Sequence, residues 1–327
     1  MPRREARPRI SVVVPTFRRP ALLARCLSAL LAQGLSPEAF EILVVDDGQD
    51  EETKRTVGKV AASSSVRIRY LEAGPAGGPA SARNIGWRAA TADVIAFTDD
   101  DCVPSRGWLQ AGLDAISAGV DGACGQVIVP ISTRPTDYER DAAGLERAEF
   151  VTANCFYRRR ALEAVGGFDP RFRLAWREDS DLFFGLLERA LPLAYAPGAM
   201  VVHPVRRAPW GVSLSQQRKS LFNALLYRKH PELYRQRIQS RPPLHYYAIL
   251  LALAVGLVAA VLGRPVVALA AFAAWLSLTL AFGIQRLQHT SRAPGHVLEM
   301  LVTSTLIPVL AVFWRLVGAA RFRVPFL

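Results

Sequence analysis

Two stretches of this chain, residues 246–262 and 266–284, carry no charged side chain, and only Gly263-Arg264-Pro265 separates them. At 17 and 19 residues, each approaches the ~20 that a helix needs to cross a bilayer. Neither shows a polar face, and a helix apolar all round belongs in lipid or in the middle of a large core. Gly-Arg-Pro is a turn signal, so the pair reads as a helical hairpin through a membrane. A third apolar stretch, residues 297–314, contains Glu299 and Pro308 and runs into Arg315. It either spans or lies as a re-entrant or interfacial helix.

Charge is partitioned along the chain in the same way. The first 200 residues hold 25 Lys and Arg against 26 Asp and Glu, while residues 201–327 hold 15 against only Glu232 and Glu299. The formal charge of +12 therefore lies wholly in the last 127 residues, which excludes an evenly basic nucleic-acid-binding domain. Nine basic residues lie between Val202 and Arg241, and the hairpin tip has only Arg264. Basic flanks stay on the cytoplasmic side, so the globular part is expected inside and the tip outside. Arg321 and Arg323 also prefer the inside, which favours a third segment that does not cross. Residues 213–234 mix Leu214, Leu221, Phe222, Leu225 and Leu226 with Arg218, Lys219, Arg228 and Lys229, the composition of a basic amphipathic helix on an anionic inner leaflet. The expected organisation is a globular domain over residues 1–205, a basic juxtamembrane segment over 206–244 and a membrane domain over 245–327. The first nine residues are charged and lead into only five apolar-type residues before Pro15. That is too short for the apolar core of a signal peptide, so the front of the chain is expected in the cytoplasm. The four scattered cysteines, without a CxxC, fit a reducing compartment.

The globular part alternates strand and helix. Residues 10–14, 40–45, 66–71 and 94–97 are short runs rich in aliphatic and β-branched residues, and helical spacing fills residues 20–33, 53–62 and 80–90, with a Gly/Pro loop at 74–78. Alternation of this kind marks an α/β fold with a doubly wound, mostly parallel sheet, in which ligands bind beyond the carboxyl ends of the strands. Pro15-Thr16-Phe17-Arg18, Asp46-Asp47 and Asp99-Asp100-Asp101 all follow strand ends, so they are expected to meet at one edge. Three consecutive carboxylates do not all ionise cheaply without a cation, and hard oxygen ligands suit Mg²⁺ or Mn²⁺. No GxxxxGK[ST] or GxGxxG follows the first strand, which argues against a P-loop or dinucleotide site.

Five blocks, SVVVPTFRR, EILVVDDGQDE, GGPASARNIG, IAFTDDD and WREDSDL, in this order and spacing, resemble family 2 of the inverting glycosyltransferases. The resemblance covers residues 9–204. It implies the GT-A fold: a nucleotide-binding α/β sheet joined to an acceptor-binding half. It implies a nucleotide-sugar site drawn from Pro15, Thr16, Arg18, Asp47, Arg83, Asp99 and Asp100, with Asp47 and Thr16 at base and ribose. Asp99 and Asp101 would form a DxD motif, Asp101 being the direct metal ligand and His203 reaching the metal or diphosphate. Asp179, beside Glu178, would be the general base, with Glu178 and Asp181 as alternatives. Asn154 and Trp176 would lie at the acceptor, although Trp176 reads equally well as a core aromatic.

The chemistry suits these residue types. A carboxylate within reach of an acceptor hydroxyl can take its proton as the oxygen attacks the anomeric carbon, and a metal neutralises the charge growing on a departing nucleoside diphosphate. The expected function is a membrane-anchored transferase that moves a sugar from a nucleotide-sugar to a lipid-linked or membrane-proximal acceptor. Polyprenyl phosphate as acceptor and a non-catalytic nucleotide- or membrane-binding scaffold are the alternatives. Processive members of the family usually carry a Gln-x-x-Arg-Trp motif. Gln216-Gln217-Arg218-Lys219 lacks the Trp, so addition of a single sugar is favoured.

Overall fold

The computed structural model describes residues 7–74 and 77–326; Pro75 and Ala76 of the expected Gly/Pro loop lie outside them. The strands are β1 (Ile10–Thr16), β2 (Phe40–Asp46), β3 (Arg67–Glu72), β4 (Val94–Phe97), β5 (Val103–Pro104), β6 (Gly122–Ile128), β7 (Cys155–Arg158) and β8 (Leu193–Val202). The helices are α1 (Pro20–Leu31), α2 (Glu51–Ala62), α3 (Pro79–Ala89), α4 (Trp108–Ser117), α5 (Asp137–Ala142), α6 (Arg159–Val165), α7 (Glu178–Glu188), α8 (Val212–Gln216), α9 (Leu221–Lys229), α10 (Pro231–Arg237), α11 (Leu244–Val261), α12 (Pro265–Leu287) and α13 (Pro294–Phe322).

They form two compact units. The first comprises the chain to Pro130 together with Ala143–Val205. Its eight strands make one sheet in the order β3-β2-β1-β4-β7-β6-β8-β5. β1, β2, β3 and β4 are parallel, as their alternation with helices demands. β7 runs antiparallel to both β4 and β6, and β5 antiparallel to β8, so the second half of the sheet is mixed and only the first is wound as a parallel sheet. All seven residues of β1 and of β2 are buried, the signature of strands covered on both faces. Gly86 shows how tightly α3 covers them, since a Cβ there would lie 2.3 Å from Val13 Cγ1. The in-register pairs Thr16↔Asp46 and Val13↔Phe97 bring the carboxyl ends of β1, β2 and β4 to one edge, and with them the three loops that carry acidic and polar residues.

The second unit holds Ile131–Ala142 and the chain from Arg206 onward. α11, α12 and α13 have 18, 23 and 29 residues and contain 18-residue stretches with mean hydropathies of 2.2, 2.1 and 1.9, enough in length and composition to cross a membrane. α11 and α12 pack against each other, with the Phe272 ring filling the space that a side chain at Gly256 would need. Leu251, Val261, Val266 and Leu269 are among the side chains the hairpin leaves exposed. α5 is tied to this unit by the Arg286–Asp137 ion pair at 2.6 Å and by Arg140 donating to the Gln288 carbonyl.

The basic segment differs from the single amphipathic helix expected over residues 213–234. It breaks into α8, a 3₁₀ turn, α9 and α10. The break at His230 (φ −136°) follows from Pro231, because proline disfavours helical dihedrals in the residue before it. Leu221, Phe222, Leu225 and Leu226 are buried against α13, which comes close enough at Gly318 that a Cβ there would sit 2.7 Å from the Leu221 carbonyl oxygen. The apolar stripe of this segment therefore covers protein.

Candidate active site

The site is built in the first unit at the carboxyl edge of the parallel strands. The first two acids divide their tasks. Asp46 is fully buried and its carboxylate accepts from the backbone N–H of Gly48 and Asp50 at 2.8 Å each and from the Tyr70 hydroxyl. It shapes the loop. Asp47 is left for other partners: its Oδ2 accepts from Gly78 N at 3.1 Å, and its Oδ1 is buried with no partner among the described residues. Burial pushes its pKa up.

The acidic triplet after β4 is divided in the same way. Asp100 accepts from the Thr16 hydroxyl at 2.7 Å and pairs with Arg19 at 3.1 Å. The Thr16 side chain is thereby engaged in fixing the acidic loop. Asp99 pairs with Arg83 at 2.8 Å, and although burial opposes it, the Arg83 charge holds its carboxyl below the usual value. Asp101 lies 3.5 Å from His203 Nε2, brought there because His203 leaves the end of β8 and its backbone N–H bonds to Ile128.

Arg83 joins the two halves of the site. It is buried on α3, with one amino group on Asp99 and the other 3.0 Å from Glu178 Oε1. Glu178 opens α7, and burial, opposed by Arg83, pushes its carboxyl up to about 7. Asp179 follows it and is also raised, chiefly by burial, while Ser180 N donates to its Oδ1 at 2.7 Å. Arg177, just before the pair, holds φ +76°, a left-handed conformation that costs a non-glycine residue about 1–3 kcal/mol and clusters at functional sites. Arg18 and Gln49, on the other two loops of the site, also have positive φ.

Among the described residues, four buried polar atoms of this edge have no partner: Asp47 Oδ1, Arg83 Nε, Glu178 Oε2 and His203 Nδ1. Each such atom costs about 1–3 kcal/mol, and their concentration at one edge is the pattern of a site completed by a ligand. The ligand atoms of Asp101, Cys102 and His203 lie within 4.8 Å of one another. Asp101 and His203 fit a divalent cation. The Cys102 thiol, its pKa raised well above normal by burial, is a poor ligand for a hard ion.

Two expected acceptor residues are placed differently. Trp176 is partly exposed beside Asp179, with the Arg177 guanidinium 4.5 Å from its ring. Asn154 lies in the core: its Oδ1 accepts from Trp108 Nε1, and its Nδ2 donates to the Gln126 and Ala199 carbonyls. It is 0% exposed and holds β6, β8 and α4 together. The resemblance placed it at the acceptor, but its amide is taken up by buried carbonyls that need a double donor. Asn154→Ala should lower stability by about 2–4 kcal/mol through orphaned partners, measured by denaturant unfolding of the detergent-solubilised protein, with the acceptor KM of the folded fraction unchanged. Pro15 is the last residue but one of β1, in register with Val45, and the Arg18 guanidinium lies 5.4 Å from the Phe17 ring. Two contributors were not singled out from sequence. Arg19 could not be told from its neighbour Arg18. Asn84 bonds both the N–H and the C=O of Phe168, and only its place beside Arg83 in the third block could have signalled it.

Residues 11–178 match the family described as Glycosyl transferase family 2, and residues 136–314 match Glycosyl transferase family group 2. Glycosyltransferase AglE of Haloferax volcanii is 28% identical over 220 residues, 64% of this chain and 71% of that protein. Validoxylamine A glucosyltransferase of Streptomyces hygroscopicus subsp. limoneus is 27% identical, covering 69% of this chain and 58% of its own. The pre-mycofactocin glycosyltransferase of Mycobacterium tuberculosis is 30% identical over 60% of this chain, which spans 43% of that protein. Among solved structures, the mannosyltransferase PcManGT from Pyrobaculum calidifontis, in complex with GDP-Man and Mn²⁺, superposes with a TM-score of 0.60 at 18% identity, covering 97% of this chain and 87% of that one. That likeness establishes the GT-A type of fold.

Proposed function

The chain belongs to glycosyl transferase family 2, and from that premise we propose that it is a membrane-anchored, inverting transferase that adds single sugars to a lipid-linked or membrane-proximal acceptor, with a nucleoside diphosphate sugar as donor. The observation that carries the proposal is the convergence of Asp47, Asp99, Asp101, Arg83, Glu178 and Asp179 at one sheet edge, with ligand-ready atoms left unpartnered. A non-catalytic scaffold has no use for such strain and desolvation.

Asp47 Oδ1 accepts a donor group of the base or ribose, while Pro15 and Arg18 shape the wall beside it. Thr16 acts through Asp100, holding the acidic loop in place. Asp101, with His203 and Asp99 beside it, would hold Mg²⁺ or Mn²⁺, whose positive charge stabilises the diphosphate as it leaves. The metal-bound neighbour PcManGT supports that assignment. Asp179 removes the proton of the acceptor hydroxyl, the oxygen forms its bond to the anomeric carbon, and the bond to the diphosphate breaks on the opposite face, inverting that centre. Glu178, paired with Arg83, positions the helix start that carries Asp179. Trp176 offers an apolar face to an acceptor ring.

The test is direct. Purified protein in nanodiscs with Mn²⁺ and lipid extract, given UDP-, GDP- and dTDP-sugars in turn, should release nucleoside diphosphate from one donor class. Release from none counts against the reading. Orientation is tested separately: in cells expressing Arg264→Cys, a membrane-impermeant maleimide should label the hairpin tip from outside, and labelling only after the membrane is opened would reverse the topology.

A further inference from the structure

We infer that α13, despite being long enough to cross, lies in the plane of the cytoplasmic leaflet along its whole length. The inference rests on α11 and α12 being a hairpin whose ends, Leu244 and Leu287, face the cytoplasm. A third of the way along, α13 is bound to the cytoplasmic end of α12: Arg286, one residue before that end, donates to Thr303 Oγ1 at 2.7 Å and Ser304 Oγ at 3.1 Å. Further along, Arg315 donates to Gln239, five residues before α11 begins. At its far end the Phe322 carbonyl accepts from Arg228 of α9 at 2.7 Å. Thr303 and Phe322 are about 28 Å apart along the helix axis, nearly the ~30 Å thickness of the hydrocarbon, so a crossing helix would carry Phe322 to the opposite face. Its partner Arg228 cannot follow it there. α9 and α10, of 9 and 7 residues, are too short to cross, and α10 leads directly to the cytoplasmic start of α11. Thr303 and Phe322 are therefore held in one layer, and the helix between them with it.

The side chains agree with this placement. Leu298, Leu301, Leu306, Val309, Phe313 and Leu316 are exposed and recur every three to five residues, forming one apolar stripe. Met300, Thr303, Ile307, Arg315 and Phe322 on the opposite side are buried within the unit. Arg292 lies just before the helix, Arg321 and Arg323 at its end, all exposed. An apolar stripe with basic ends is what a helix sunk in an anionic leaflet requires, and it continues the lipid-facing surface of the hairpin. The described chain then crosses twice, and Phe322 stays on the cytoplasmic side.

The test pairs Arg321→Cys with Arg264→Cys in cells expressing the full chain, using a membrane-impermeant maleimide before and after opening the membrane, with the unsubstituted protein as background. Outside labelling at position 264 with inside-only labelling at 321 supports the inference. Outside labelling at both overturns it while leaving the hairpin intact, and inside-only labelling at 264 overturns the hairpin and the inference with it. Nitroxides at Leu298, Leu306 and Phe313 give an independent readout: one shallow depth, about 5–10 Å below the headgroups, is expected, whereas a deep maximum at Leu306 contradicts an in-plane helix.

Discussion

Asp179→Asn should lower kcat by about 10²- to 10⁴-fold, the usual contribution of a positioned general base, while the Kd for the nucleotide-sugar stays within a few-fold. The substitution keeps the shape and the contact with Ser180 N but removes the proton acceptor. The pH profile supplies a second signature. The base works ionised, so activity rises with pH through its pKa and then levels off. Burial raises Asp179, and Glu178 beside it is pushed up to about 7, so the acid limb of kcat/KM in the wild-type enzyme should lie above the ordinary carboxylate value of about 4. A limb at that ordinary value would show that the reacting base is a solvated carboxylate elsewhere. Donor binding by calorimetry and turnover by diphosphate release separate the two effects.

Asp101→Asn should have the second largest effect and a different character. Loss of a hard carboxylate ligand weakens both metal and donor, and several kcal/mol of charge stabilisation correspond to a fall in kcat/KM on the order of 10³-fold or more. Chelation of the wild-type protein should give a comparable loss, reversed by Mn²⁺. In the variant, far higher Mn²⁺ should be needed for donor binding. A variant with the wild-type Mn²⁺ requirement would remove Asp101 from the metal site. Asp179→Asn and Asp101→Asn thus separate cleanly: the first spares donor binding, and the second does not.

Much of this was legible in the sequence because each signal is local. Runs of four to six residues rich in aliphatic side chains named the first four strands, and the acidic residues after two of them had to fall at one edge once those strands were parallel. The charge-free pair of segments required a hairpin. What was not legible depends on partners distant in the chain. β7 turns the sheet antiparallel, a pairing that no residue in Cys155–Arg158 announces. The resemblance placed Arg83 at the donor, but its bridging of Asp99 and Glu178, 16 and 95 positions away, emerges only once the fold sets them on either side of it. Asn154, which the resemblance placed at the acceptor, is instead the point where three separate elements converge on one amide. The basic segment over 213–234 has the composition of a leaflet-binding helix, and only α13 reveals that its apolar face is already covered.

The central claim is that Asp179 drives a single displacement at the anomeric carbon, and the configuration of the product tests it most directly. With the donor class identified, the anomeric linkage of the isolated product should be read by NMR from the proton and carbon couplings at that centre. The account predicts a configuration opposite to that of the sugar in the donor, formed by the wild-type enzyme and lost with Asp179→Asn. A product that retains the donor configuration, or one still formed at the wild-type rate by Asp179→Asn, would contradict it.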